Sequence, residues 1–297
     1  MKKSSILFLL TIVSTFSYSQ NCQSDFVKYV QLKDTLNQYL TLEKWEKQSP
    51  GDPELYTSYF NYYYGKSREE VLTLSTDQPE GETLVLKDSV NKTAGYIGSQ
   101  IDFNDRIFKK AIEKIEKGIE LFPNRLDMRF GEIYAFGQVK DWDNFSKTII
   151  KAIQYSATNN NKWTWTNNEL KEDGKNMFLS SLQDYQLQLY NTEDNNLLVN
   201  MRDIANEILK FYPDHIESLS NLSITYMLND EFDKAINALL KAEKINGKDY
   251  IVLSNLAQAY KLNGDKANAI AYYEKTIKYG DKDAKSFAKK QIEGLKK

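Results

Sequence analysis

Residues 216–249 and 250–283 superpose when one is shifted by 34 positions. Leu219 then falls on Leu253, Asn221 on Asn255, Leu222 on Leu256 and Tyr226 on Tyr260. Ala235 falls on Ala269 and Ile236 on Ile270. A fixed period of this length means that the chain is assembled from one supersecondary unit used repeatedly. Within each unit Leu219, Leu222 and Tyr226, or their counterparts, recur at helical intervals and make one apolar stripe. A polar break at Asn229-Asp230 or at Asn263-Gly264-Asp265 ends that helix. A second helix follows, with small Ala235 or Ala269 where two helices approach closely and Leu239 or Tyr273 continuing the buried face. Neither pair can cover its own apolar stripe, so each must stack on the next.

The pattern resembles the tetratricopeptide repeat, closely over 216–283 and loosely over most of 24–283. Ser223 stands where that family usually has Gly or Ala, and Gly247 and Asp281 stand where it usually has Pro. The resemblance implies an all-α fold, a right-handed superhelix of stacked antiparallel helix pairs. Extending the register backwards gives degenerate units over 174–215 (Met201, Ala205, Ile208, Pro213) and over 102–159. The latter holds Ala111, Ile115, Gly118 and Pro123, then Phe145 and Ala152. Residues 20–65 supply the first repeat helices, with Leu42 and Trp45 before Pro50 and a helix over 54–65. Residues 284–297, rich in Lys, read as a capping helix that solvates the open end of the stack.

Two segments break the period. Over 66–101, apolar alternation with Gly, Pro and Asn breaks predicts a small antiparallel β-meander inserted near the N-terminus. Over 160–173, an Asn- and Thr-rich tract around Trp163 and Trp165 predicts a long loop. At the N-terminus, Lys2 and Lys3 precede the apolar run Ile6 to Val13, and small Ser17 and Ser19 precede Gln20. This is the pattern of a cleaved secretory signal over 1–19, too short for a membrane span. Gln20 and Asn21, rather than a small residue, precede Cys22, which disfavours a lipid-modified cysteine. The expected location is therefore periplasmic or extracellular, with no integral membrane segment after cleavage.

Composition removes several function classes. One His and one Cys leave no His/Cys metal cluster and no internal disulfide framework. A net charge of −2 carries no nucleic-acid footprint. No cofactor or metal is expected, and no catalytic residue is assigned. His215 reads as a helix-start residue, and Asp127, Glu132, Asp141 and Asp143 as capping or solvated acids, although an enzyme working through carboxylates in the groove is a third reading.

The resemblance implies a protein or peptide partner in a groove lined by first helices, with Asn221 and Asn255 offering amides to an extended chain. Ile224, Met227, Gln258 and Lys261 would line the same groove, which lacks the paired cations that clamp a terminal carboxylate. The leading expectation is a non-catalytic scaffold for an envelope or extracellular assembly. The 20 Tyr, 14 Phe and 4 Trp keep a second reading open: glycan or small-ligand binding by aromatics. Its candidates are Trp163, Trp165 and the Tyr cluster of 56–64, Tyr59 and Tyr63 included, although packing against the inserted strands and stapling of the loop account for them more simply.

Overall fold

A computed structural model describes residues 21–79 and 81–297. The signal-peptide expectation over 1–19 lies outside the described residues. The described residues are mostly helical with one small sheet, and they divide into two compact units, residues 21–140 with 163–171 and residues 141–162 with 172–297.

The first unit opens with α1, helical through residues 21–31, followed by α2 (Thr35–Gln48) and α3 (Pro53–Ser67). Strands β1 (Arg68–Ser75), β2 (Leu84–Lys87) and β3 (Thr93–Phe103) come next, then α4 (Asp105–Leu121) and α5 (Leu126–Gln138). The sheet is spliced between α3 and α4, yet these two helices still pack as a pair. Its base is closed where the Asn104 N–H donates to Ser67 O at 2.8 Å. Asn104 then caps α4 by accepting from Ile107 N. An insertion whose ends meet in this way leaves the helix pair intact. At the α3–α4 crossing, a Cβ on Gly118 would stand 2.8 Å from Tyr56 Cβ and 2.9 Å from Met128 Sδ, so only Gly allows this approach.

The inserted strands are antiparallel as expected, but they are not a meander. The order is β1-β3-β2, so sequence neighbours β1 and β2 do not pair. β3 is central and pairs along both edges: with β1 from Arg68↔Phe103 to Ser75↔Tyr96, and with β2 from Leu84↔Ile97 to Lys87↔Thr93. The β1–β2 connection crosses one face of β3. A Cβ on Gly98 would meet Pro79 Cγ at 2.9 Å and Thr83 Cγ2 at 3.6 Å, which is why a glycine sits mid-strand. On the opposite face Leu74, Ile97 and Leu84 form one cross-strand row, with Leu72 beside it. Leu72, Leu74 and Leu84 are all exposed.

The second unit holds α6 (Trp142–Thr158), α7 (Gly174–Tyr190), α8 (Leu198–Phe211) and α9 (Ile216–Met227). It continues with α10 (Phe232–Ile245), α11 (Tyr250–Leu262), α12 (Lys266–Tyr279) and α13 (Lys282–Leu295). Antiparallel pairs α9–α10 and α11–α12 stack with α8 before them and α13 after. The stripe read from the repeat is the core: Leu219, Ala235, Leu239, Val252, Leu256 and Ala259 pack together. Ala257, Tyr273 and Ala288 bury the joint with α13.

The turns repeat as regularly as the stripes. A residue with left-handed backbone closes the α1–α2, α5–α6, α7–α8, α9–α10 and α11–α12 turns: Lys33, Lys140, Glu193, Asp230 and Gly264. Three of these turns carry the same wide hydrogen bond, Asp34 N to Tyr29 O, Glu231 N to Tyr226 O and Asp265 N to Tyr260 O, at 2.9–3.0 Å. This is the 6→1 closure that ends a helix on a left-handed residue. The next helix then starts on an acid. Asp34, Asp141 and Asp265 each accept the N–H of an Asn three residues on and also its side-chain amide.

Candidate functional site

The first helices of consecutive pairs in the second unit, α7, α9 and α11, face a groove of about 440 Å³. Its lining follows from the repeat: stripe residues turn one side of each helix into the stack and leave the opposite side free. Apolar Leu187, Tyr190, Ile224 and Ile251 share this surface with the amides of Gln183, Gln186, Asn221 and Asn255. Asp184, Glu217 and Asp249 add negative charge, and among the described residues no Lys or Arg lines the groove.

Of the groove residues expected from sequence, Asn221, Asn255 and Ile224 are brought together here. Met227, Gln258 and Lys261 are not. Met227 packs against the core formed by Leu219, Leu239 and Val252. Gln258 accepts from the Tyr273 hydroxyl at 3.0 Å, and Lys261 Nζ donates to Gln291 at 2.8 Å. Both are tied to the helices that follow, because the last turn of α11 lies against the end of the stack rather than beside a further first helix. Gln183 and Gln186 went unmarked in the sequence, since α7 belongs to a unit too degenerate for its register to be read.

The first unit has a comparable groove of about 480 Å³, lined by α1, α3 and α5. Beneath it lies a charged cluster. Arg125, only 1% exposed, donates from Nη1 to Glu54 Oε1 at 2.6 Å. Its Nε and Nη2 fork onto Asp127 at 2.8 and 2.7 Å. Burial works against the guanidinium charge, but the hydrogen bonds to Asp127 and Glu54 outweigh it and hold the Arg125 pKa above its ordinary value. Glu54 also accepts from Asn167 N at 2.8 Å. Asp127 is thus a partner of a buried cation, not a solvated acid. Asp141 caps α6, as its sequence position suggested, and Asp143 sits in the first turn of that helix. Glu132, on α5, is buried. Among the described residues no group of three or more His, Cys, Asp and Glu side chains could hold a metal.

The aromatic candidates are structural. Trp163 is completely buried, with the Arg129 guanidinium 5.9 Å from its ring centre. A ring buried in this way staples the loop to the first unit. Trp165 is half-buried, set edge-on to Phe130 at 6.1 Å with Lys171 Nζ 5.3 Å from its ring. The two rings do not present one surface. Thr164 between them donates its N–H to Asn124 O and accepts from Leu126 N, so the segment is pinned as a short ladder. The Asn-rich composition has a backbone cause: Asn160, Asn161, Asn167 and Asn168 all take positive φ, which Asn tolerates better than most residues.

Tyr59 is likewise unavailable to a ligand. It is 2% exposed, donates to Glu46 Oε2 at 2.8 Å, and lies under Lys114 Nζ at 3.9 Å. Burial and the carboxylate together push its pKa far up. Tyr63 is half-buried and stacks on Tyr59 at 6.0 Å. The cluster packs mainly with α2 and α4, and Tyr64 reaches the inserted sheet at Phe103, the two rings tilted by 40° with centroids 5.8 Å apart. The packing expected against the inserted strands is chiefly packing against helices.

His215 is the N-cap residue of α9 and its Nδ1 lies 2.8 Å from Ser218 Oγ. Burial pushes its pKa below the ordinary value. Cys22 is buried in α1, with its Sγ 3.4 Å from Gln48 Oε1. Among the described residues no helix is long and apolar enough to cross a membrane.

With this geometry in hand, the repeat is identified directly. Residues 216–249 and 252–285 each match the tetratricopeptide repeat family, so the second unit carries two such repeats. Among solved structures, the chain is similar to MamA (16% identity, covering 61% of this chain and 92% of that one, TM-score 0.39). It is also similar to YrrB, described as a TPR protein with an unusual peptide-binding site (14% identity, 61% and 83% covered, TM-score 0.39). A third is PilW, described as a widely conserved type IV pilus biogenesis factor (10% identity, 86% and 91% covered, TM-score 0.37). No curated protein matches the sequence.

Proposed function

We propose that this chain is a non-catalytic scaffold that holds an extended segment of a protein partner in the groove of α7, α9 and α11. The observation that carries this reading is the shared surface of Asn221, Asn255 and Ile224: two amides at the same repeat position on successive first helices, set among apolar side chains. Side-chain amides supply both donor and acceptor to a peptide backbone, and the apolar neighbours take alternate side chains. The double variant Asn221→Ala/Asn255→Ala is expected to bind synthetic extended peptides at least tenfold more weakly than the parent, as loss of one or two net hydrogen bonds would give. Equal affinity, measured by fluorescence anisotropy, would remove the groove from consideration.

The scaffold works outside the cytoplasm, in the periplasm or beyond, where it organises an envelope or extracellular assembly. Support for this comes from the basic, apolar and small-residue succession over 1–19. Intact mass of the protein from the secreting cell should correspond to a chain beginning at Gln20. A mass that retains Met1 would refute export by cleavage.

A further inference from the structure

The floor of the same groove contains an amide that the fold leaves unsatisfied. Gln186 is 1% exposed, and both its Oε1 and Nε2 are closed to water without a hydrogen-bond partner among the described residues. One turn earlier, Gln183 Oε1 accepts from Asn221 Nδ2 at 2.5 Å, but its own Nε2 is also buried and unpartnered. Buried polar groups are nearly always paired, and an apolar side chain of similar size would fill either place without the penalty of a lost hydrogen bond. Two unsatisfied amides on one helix face, both lining one groove, mark the place where a ligand completes the set.

We propose that Gln186 is the backbone-docking contact of this groove, which takes an extended, positively charged protein segment. The inference rests on the protein-binding reading above and names its partner chemistry. A primary amide presents one acceptor and one donor side by side, the complement of a peptide unit: Oε1 accepts the segment's N–H and Nε2 donates to a carbonyl of the same strand. Gln186 reaches it by a side-chain rotation, the commonest adjustment at an interface.

Charge then selects the segment. Asp184, Glu217 and Asp249 line the groove without a cation among them, so Lys or Arg flanking the docked peptide unit is attracted. An acidic segment, or a terminal carboxylate in the groove, is repelled by the same three groups. Exposed Leu187, Tyr190 and Ile251 supply apolar contact for the side chains between.

The test uses the full chain and three series of synthetic extended peptides with one apolar centre, flanked by lysines, by serines or by glutamates. The lysine-flanked series should bind best, and Gln186→Met should weaken it about tenfold with a melting temperature equal to or above the parent's. A single backbone N-methyl group walked along the best peptide should weaken parent binding about tenfold at one position. That loss should vanish in Gln186→Met, which assigns the contact whatever the variant's stability. Undiminished affinity in Gln186→Met, or equal binding of the glutamate series, overturns the proposal while leaving the groove as a site. Failure of every series to bind the parent overturns both readings.

Discussion

Replacing Arg125 with Met should destabilise the first unit by about 3–5 kcal/mol, the loss expected when one partner is removed from a buried charge cluster. Glu54 and Asp127 would remain with side chains 9% and 14% exposed and without their counter-ion. The loss should appear in urea unfolding as an early transition belonging to this unit, ahead of that of the second. Neutralising the acids as well, in Arg125→Met/Glu54→Gln/Asp127→Asn, should recover a large part of the loss, because the cost lies in stranded charge and not in the absence of the pair. A single variant that unfolds within 1 kcal/mol of the parent, or a triple variant less stable than the single, would disprove this account. Glu54 also accepts from Asn167 N, so the single variant should loosen the loop over 163–171 in the same step.

That cluster shows where reading of the sequence stopped. Asp127 looked like a solvated acid because the cluster is completed from far away: Arg125 is two residues from Asp127, but its other partner, Glu54, lies 71 positions before Arg125. No local pattern joins them. The helix pairs, by contrast, were legible because a stripe and a small-residue crossing repeat at fixed spacing, and Ala235 and Ala269 do sit fully buried at crossings. A second local signal went unread. Asp-X-X-Asn at 34–37, 141–144 and 265–268 starts a second helix, with the Asn N–H and side-chain amide both donating to the Asp carboxylate. The same spacing at 88–91 is a turn, at 173–176 makes no side-chain cap bond and at 203–206 lies inside α8. Spacing alone therefore does not mark a helix start.

The strands illustrate a different limit. Alternation identified β1 and β3, but alternation does not say which face is covered, and Leu72 and Leu74 point outward at 81% and 73% exposure. Strand order was equally hidden, since it depends on Gly98 admitting Pro79 across the sheet. The groove was partly legible for the same reason as the stripes: Asn221 and Asn255 share a repeat position. Gln258 and Lys261 hold the matching places on α11, yet the end of the stack claims both. Gln186 carries no signal at all, because an unsatisfied amide is a property of its surroundings.

Trp163→Ala should cost about 3–5 kcal/mol in the first unit, the usual range for deleting a buried large aromatic. Trp165→Ala should cost much less, since its ring is half-buried and touches Phe130 edge-on. The difference separates a staple from a binding platform, which would need both rings for affinity but neither for stability. Trp163 holds the loop through its backbone too: its carbonyl accepts from Lys171 N at 2.9 Å, and the next residue bonds Asn124 and Leu126. Without the indole, that ladder would lie over a cavity, and limited proteolysis should cut within 159–173 in the variant before any other site. Resistance there, with stability unchanged, would mean that the ladder alone holds the segment and that Trp163 is free for another role. The same experiment bears on the groove, because peptide affinity in the second unit should be the same in Trp163→Ala as in the parent.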